Sequence, residues 1–290
     1  MATENHVENP LEYVVERVAW LWSDLGRAVT AKPRLHVGEV VPAVRKITTA
    51  DLMDALRKGV ADLGATRDDV VFLAVIYPVA GLVLARLAFS YDLLPMIFPL
   101  ASGFALIGPL AAIGLYEVSR RREAGEEVTW GSAFSVLHSP AIGSILGVGS
   151  ILLLMFFAWL AAAYGIYAAT LGPAPPTSIG AFLRAVFETP AGWAMIGVGT
   201  AVGFVFAVAA LAISVVSFPL LLDRDVGMGT AIATSLKAVR ENPRTLGLWG
   251  LIVAGGLLLG SLPALVGLIF VMPVLGHATW HLYRKLVATV

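Results

Sequence analysis

"RAVFETPAGWAMIGVGTAVGFVFAVAALAISVVSFPLLL" covers residues 184–222, and its reading decides the fold. From Pro190 to Leu222 it holds no Lys, Arg, Asp or Glu. A helix over 190–222 has length to spare for a hydrocarbon layer about 30 Å thick, which needs roughly 20 apolar residues. Its start is marked as well. Thr189 at the N-cap is placed to accept a hydrogen bond from a first-turn N–H, and Pro190 has no N–H to leave unpaired. The same device is expected at Ser139–Pro140 and at Asn242–Pro243, the latter closing "KAVRENP" (237–243), which echoes "RAVFETP" (184–190).

Ahead of each pair lies a short stretch with apolar residues three and four apart, the helical signature. These are Trp130, Ala133, Phe134 and Leu137; Ile179, Phe182, Leu183, Val186 and Phe187; and Met228, Ile232, Leu236 and Val239. A fourth stripe, Leu52, Leu56, Val60 and Leu63, precedes the first crossing. Short helices with one apolar face suit the membrane surface or the flank of a bundle.

Composition agrees with a lipid environment. Hydrophobic residues make up 58% of the 290-residue chain and charged residues 14%, with a mean hydropathy of +0.82. Soluble domains carry about 25% charged residues. The zero net charge gives no support for a nucleic-acid partner, and the lack of Cys excludes disulfides and thiolate-held clusters. Residues 1–69 hold nine Lys/Arg and eleven Asp/Glu without a long apolar core, unlike a signal peptide.

The chain reads as all-α and polytopic, with six transmembrane helices over 70–89, 95–118, 140–170, 190–222, 245–261 and 263–283. Gly260, Ser261 and Pro263 supply the turn between the last two. Basic residues keep to the cytoplasmic side of a membrane. Nine precede the first crossing, none lies in 90–94, and Arg120, Arg121 and Arg122 follow the second. Arg184 alone follows the third, four lie in 223–244, none in 261–262, and Arg284 and Lys285 close the chain. The alternation places both termini on the cytoplasmic side. Trp130, Trp249, Trp280, Tyr116 and Tyr283 are expected at the inner interface, and Tyr91, Tyr164, Tyr167 and Trp193 at the outer. Pro78, Pro109 and Pro273 are expected to kink their helices. Gly143/Gly147, Gly199/Gly203 and Gly256/Gly260 are spaced for close contact with other helices, of this chain or of another membrane protein.

Internal repeats are expected. Pro140 is followed by "GVGS" (147–150) and Pro190 by "GVGT" (197–200) in helices of opposite direction, an inverted pattern. Pro99, Gly103, Pro109, Tyr116, Arg120 and Arg121 match Pro263, Gly267, Pro273, Trp280, Arg284 and Lys285 without a gap, a parallel pattern. Residues 1–45 form a separate N-terminal segment, an amphipathic helix over 10–29 and a linker over 31–42, ahead of the transmembrane domain at 46–290.

Ionisable groups at membrane depth are the functional candidates: Arg86, Glu117, His277 and His281. His277 and His281 are four apart on one helical face, a spacing that can hold a metal or haem. No third ligand lies nearby in sequence, and an interfacial hydrogen-bonding role is the stronger reading. Glu117, Arg121, His277 and His281 are expected to form a polar site at the cytoplasmic helix ends, with Glu117 paired to Arg121 one turn on. Ser102, Ser214 and Ser217 are expected to bond back to their own helices. No nucleophile motif or phosphate loop is present, so no catalytic residue and no cofactor is assigned.

"IGPLAAIGLYEVSRRREAGE" (107–126) and "MPVLGHATWHLYRKLV" (272–287) resemble the bacterial integral membrane proteins grouped as domain of unknown function 2189, over the chain from about residue 45. The resemblance implies no established activity, though some members carry the label cytochrome c oxidase subunit I. The catalytic core of such an oxidase needs more histidine ligands than the five here, of which His6, His36 and His138 lie outside the spans. The expectation is a structural, assembly or partner-binding component. A haem- or metal-binding accessory protein of an oxidase, and a transporter of lipids or small molecules, are the alternatives.

Overall fold

The computed structural model describes residues 41–65, 91–128, 130–262 and 266–288. The helix expected over 10–29, the linker up to residue 40 and the crossing over 70–89, with Pro78 and Arg86, lie outside the described residues. The described residues form ten α-helices: α1 (Thr49–Ala65), α2 (Ile97–Ala111), α3 (Ile113–Glu123), α4 (Ile142–Thr170), α5 (Ile179–Glu188), α6 (Pro190–Ser214), α7 (Ser217–Asp223), α8 (Met228–Glu241), α9 (Pro243–Ser261) and α10 (Leu268–Leu286). Two 3₁₀ segments, Tyr91–Met96 and Trp130–His138, precede α2 and α4.

Among the described residues, three runs are long and apolar enough to cross a membrane: α4, α6 continued by α7, and α9. Leu93–Gly103 and Ala105–Ala111 would make a fourth together, bent by 43°. The bend has a cause in Pro109, whose ring displaces the carbonyl of Ala105 four residues back. Pro219 does the same to Val215 and separates α6 from α7. There the Ser235 hydroxyl takes the Val216 N–H at 3.2 Å, while the Ser214 and Ser217 hydroxyls bond to the carbonyls of Ala210 and Ile213. α10, expected as the sixth crossing, falls short on hydropathy because His277, His281, Arg284 and Lys285 occupy its second half. Pro273 sits inside it without ending it.

The three expected caps fare differently. Thr189 accepts from the Gly192 N–H at 3.0 Å and Pro190 opens α6. Ser139 accepts from the Ala141 N–H at 3.2 Å, but α4 itself begins at Ile142, so Ser139 and Pro140 form a turn before the helix. At Asn242 the expectation fails, because the side chain is used elsewhere. Its Oδ1 accepts from the Ile47 N–H at 2.8 Å and its Nδ2 donates to the Arg45 carbonyl at 3.1 Å. Asn242 therefore clamps the 45–47 segment against the start of α9, where Pro243 still opens the helix. The same segment pairs antiparallel with the C-terminal tail through Val44 and Val287, with the Arg45 N–H on the Leu286 carbonyl at 2.7 Å.

Two amphipathic helices bury a face that the expected apolar stripe locates only in part. α1 encloses Leu52, Ala55, Gly59 and Asp62, and leaves Val60 57% exposed. α8 encloses Thr230, Ala231, Thr234, Ser235 and Ala238, while Ile232, Leu236 and Val239 are only half-buried. Small side chains let helix backbones approach closely. A Cβ on Gly59 would lie 2.6 Å from the Val274 carbonyl oxygen and 2.8 Å from the Ala278 Cβ on α10. α5 keeps its expected face, with Ile179, Leu183 and Phe187 exposed and Val186 buried. Of the spaced glycines, Gly256 and Gly260 meet Val271 and Leu268 of α10, and Gly203 meets Trp159.

The expected inner belt is not a lipid-facing ring. Tyr116, Trp249, Trp280 and Tyr283 are enclosed by protein, because α1, α3 and α10 converge at this end. Of the outer set, Tyr164 and Trp193 are exposed and Tyr167 is buried, its hydroxyl donating to the Ala174 carbonyl at 2.7 Å.

The close crossing makes a test. Gly59→Ala is expected to destabilise the folded protein by about 1–3 kcal/mol through overpacking, and Gly59→Val by more. Gly64→Ala, where a Cβ meets nothing within 4 Å, is expected to be neutral or stabilising by up to about 1 kcal/mol. Thermal unfolding in detergent reads both.

Candidate functional site

α1, α3 and α10 bring together four polar side chains in one buried chain. α1 supplies Asp62, α3 supplies Ser119, and α10 supplies His277 and His281 one turn apart. The Ser119 hydroxyl donates to Asp62 Oδ2 at 2.6 Å and lies 2.8 Å from His277 Nδ1. A hydroxyl has one proton. With that proton on Asp62, the network assigns the Nδ1–H tautomer to His277, which donates to Ser119 Oγ. His281 Nε2 reaches the same Asp62 oxygen at 2.9 Å. Arg122 Nη1 lies 3.4 Å from Asp62 Oδ1 and donates to the Asp62 carbonyl at 2.8 Å. Ser119 and His277 have no exposed surface.

Burial alone would raise the Asp62 carboxyl above its ordinary value. Hydrogen bonds from His281 and Ser119, with the nearby histidine charge, outweigh it and hold the group below the usual carboxylate range. Asp62 is therefore ionised at neutral pH and is the acceptor on which the chain converges.

A second cluster lies on the other side of α3. Glu117 is buried and takes Arg120 through Nε and Nη2 at 2.7 and 2.8 Å, and Arg121 through Nε at 2.7 Å. The Ser135 hydroxyl is 3.2 Å from the same carboxylate. A third links α3 to the end of α10. Trp280 Nε1 donates to Glu123 at 2.8 Å, Arg284 Nε to Glu123 at 3.1 Å, and the Tyr283 hydroxyl to Asp223 at 2.5 Å.

The expected polar site of Glu117, Arg121, His277 and His281 is thus two sites. Glu117 pairs with Arg121 one turn on and also with Arg120. The histidines meet Asp62 and Ser119, which carried no separate signal. Asp62 was legible only as the last member of a stripe of small residues, Ala55, Gly59 and Asp62. Among the described residues, no group of three or more His, Asp or Glu is arranged to hold a metal ion.

Residues 97–223 match the family model described as predicted integral membrane protein, domain of unknown function 2189. The matched region runs from the first residue of α2 to the last of α7. It contains Ser119, Arg122 and the Glu117 cluster, whereas Asp62, His277 and His281 lie outside it, as does the second resembling piece at 272–287. No curated protein matches the chain. No solved structure matches it. Over the matched residues, less than half of the chain, the protein is similar to that family, and its long apolar helices agree with an integral membrane protein.

Removing one partner from a buried charged hydrogen bond costs about 1–3 kcal/mol, so Asp62→Ala and His281→Ala are each expected to lower the unfolding temperature. The double substitution should cost less than the sum. The pH dependence has a definite sign. Because the folded value of Asp62 is depressed, its contribution is complete above the unfolded value of about 4 and is lost as pH falls through the lower folded value. Acid unfolding of Asp62→Asn should be shallower in that window than that of the unsubstituted protein.

Proposed function

We propose that this chain is a six-pass protein of a bacterial inner membrane, with both ends in the cytoplasm, acting as a structural, assembly or partner-binding component rather than an enzyme. The observation that carries the non-catalytic part is the enclosure of the Asp62–Ser119–His277 chain. The Ser119 hydroxyl donates a hydrogen bond to Asp62 and accepts one from His277, and neither Ser119 nor His277 presents any surface to a reactant. A serine nucleophile needs an accessible oxygen and a base free to take its proton.

The six-pass topology draws support from where the helix ends lie. The end of α3, the end of α7 and the end of α10 meet through Glu123, Asp223 and Arg284. The start of α9 meets the 45–47 segment through Asn242, and the end of α10 meets it through the Leu286 carbonyl, which accepts from the Arg45 N–H. α9 thus leaves this polar end and α10 returns to it, which favours a crossing by α10 despite its modest hydropathy. Pro95 and Met96, ahead of α2, share a small cavity with Tyr164, Tyr167 and Pro173 at the opposite end. α1 stands at the polar end and residue 91 at the other, which favours the remaining crossing over 70–89. The arginines at the polar end favour its assignment to the cytoplasm. α2–α3 and α10 both run toward this end, as the parallel repeat requires; α4 and α6 run oppositely, as the inverted one requires.

Purification of the full chain from its native membranes in mild detergent tests the reading. A stable complex with another membrane protein and no visible haem absorption is the expected result. A haem band lost in His277→Ala would replace it with the haem-binding alternative, and a solitary protein would remove the partner-binding role. Reporter tags at the two termini should report the same compartment.

A further inference from the structure

The Glu117 cluster borders a cleft of about 340 Å³ at the polar end. One wall is cationic, with Arg120 and Arg121 from α3 and Arg224 after α7. Another is apolar, with Val136, Pro140, Leu221 and Leu222. We propose that this cleft binds the phosphate group of a phospholipid from the surrounding bilayer. The inference goes beyond the scaffold reading and holds whether or not a partner protein binds.

Charge is the first argument. Three carboxylates also line the cleft, Glu117, Asp223 and Asp225. Glu117 faces two guanidinium groups, Arg120 and Arg121. Asp223 likewise faces two, Arg224 at 3.6 Å and Arg284 at 3.4 Å. Arg284 lies outside the lining and is shared with Glu123, so the cleft as a whole is balanced, with Arg120, Arg121 and Arg224 against Glu117, Asp223 and Asp225. The excess is local, where Arg120 and Arg121 share the single carboxylate of Glu117 and leave one positive charge, the match for one phosphodiester.

Donor geometry is the second. A guanidinium carries five N–H donors in a planar fork that suits phosphate oxygens. Arg121 meets Glu117 through Nε, and Arg120 through Nε and Nη2. Glu117 is itself buried, so it fixes both arginines from within. Their side chains stay 34% and 27% exposed, and that of Arg224 21%. This is a built arrangement, in which one enclosed carboxylate holds two solvent-reaching cations side by side.

Depth decides the source of the phosphate. Pro140 and Ala141 stand just before the membrane-crossing α4, and Leu221 to Asp223 close the run that begins at Pro190. The cleft therefore opens where two apolar helices leave the hydrocarbon, the level occupied by headgroups. Basic pockets between transmembrane helices at this level suit lipid headgroups. The wall of Val136, Leu221 and Leu222 matches the glycerol and first acyl carbons of a lipid. A soluble phosphate compound would gain nothing from it.

The test uses the full chain in mild detergent, titrated with dioleoyl phosphatidylglycerol and followed by native mass spectrometry. Dioleoylglycerol, which lacks the phosphate, and glycerol phosphate, which lacks the chains, are titrated alongside. Phosphatidylglycerol is expected to bind at least about tenfold more tightly than either, and Arg121→Gln with Arg224→Gln to remove about that factor. Arg240→Gln, outside the cleft, should change nothing. Equal binding of dioleoylglycerol, or an unchanged affinity in the double variant, overturns the site. Glycerol phosphate binding as tightly as the lipid, with loss in the same variant, overturns the lipid source. Should the double variant fail to fold, phosphatidylglycerol with a photoactivatable headgroup is applied to the unsubstituted protein. Adducts within 135–141 and 220–225 support the site, and adducts confined to α5 or α9 overturn it.

Discussion

A carboxylate drawn in among helix ends has to be matched by donors, and at Asp62 the matching is supplied by three separate elements. Ser119 and Arg122 come from α3 and His281 from α10, while Asp62 itself stands on α1, a helix too polar to enter lipid. Stripping such a group of water costs several kcal/mol unless its partners are in place. The bond set therefore specifies one docking of α1 rather than a family of them. An apolar contact of the same area would tolerate sliding by a turn; this one does not, because each donor meets one oxygen.

Close approach makes that docking available. Gly59 and Ala55 leave room for the Val274 and Ala278 backbone of α10, and a larger side chain would hold the helices apart and pull Asp62 away from His281. The ends of the same assembly are tied by backbone. Ala43, Val44 and Arg45 pair with Leu286 to Ala288, and Asn242 holds Arg45 and Ile47. Segments nearly two hundred residues apart in sequence are thus joined where three helices end. Trp249, Trp280 and Tyr283 fill the space they enclose.

Much of this architecture was legible because lipid imposes strong rules. A run such as 190–222 admits no reading but a crossing, and Thr189–Pro190 reads as its start because local geometry alone settles a cap. The Glu117–Arg121 pair was likewise local. What escaped reading depends on partners distant in sequence. The apolar stripes of α1 and α8 located the buried face only in part: Leu52 is enclosed, but Val60 is exposed, and small residues such as Ala55, Gly59, Ala231 and Ala238 fill most of the contact. Asn242 looked like a cap because its alternative acceptors and donors, at Arg45 and Ile47, are contributed from the other end of the chain. Trp280 and Tyr283 looked like interface anchors because aromatic residues near basic ones have that signature, whether or not another helix covers them. The break at 215–216 was available in Pro219 and was lost within a long apolar run.

α3 shows how one helix serves both polar clusters. At 3.6 residues per turn each residue is rotated by about 100°, which puts Glu117, Arg120 and Arg121 on one side and Ser119, Arg122 and Glu123 on the other. The first group faces the cleft and the second faces α1 and α10. Six of the seven residues from Glu117 to Glu123 thus divide into two chemically distinct surfaces, with the buried Val118 between them. Leu115, packed against Gly276, and Gly114, packed against Ala133, fix the rotation from the two sides. A slip by one residue would turn an arginine toward Asp62 and a serine toward the cleft, leaving Glu117 without its two cations. Helix rotation is therefore the constraint both clusters share. It is held by two glycine contacts, which admit neighbours too close for any side chain.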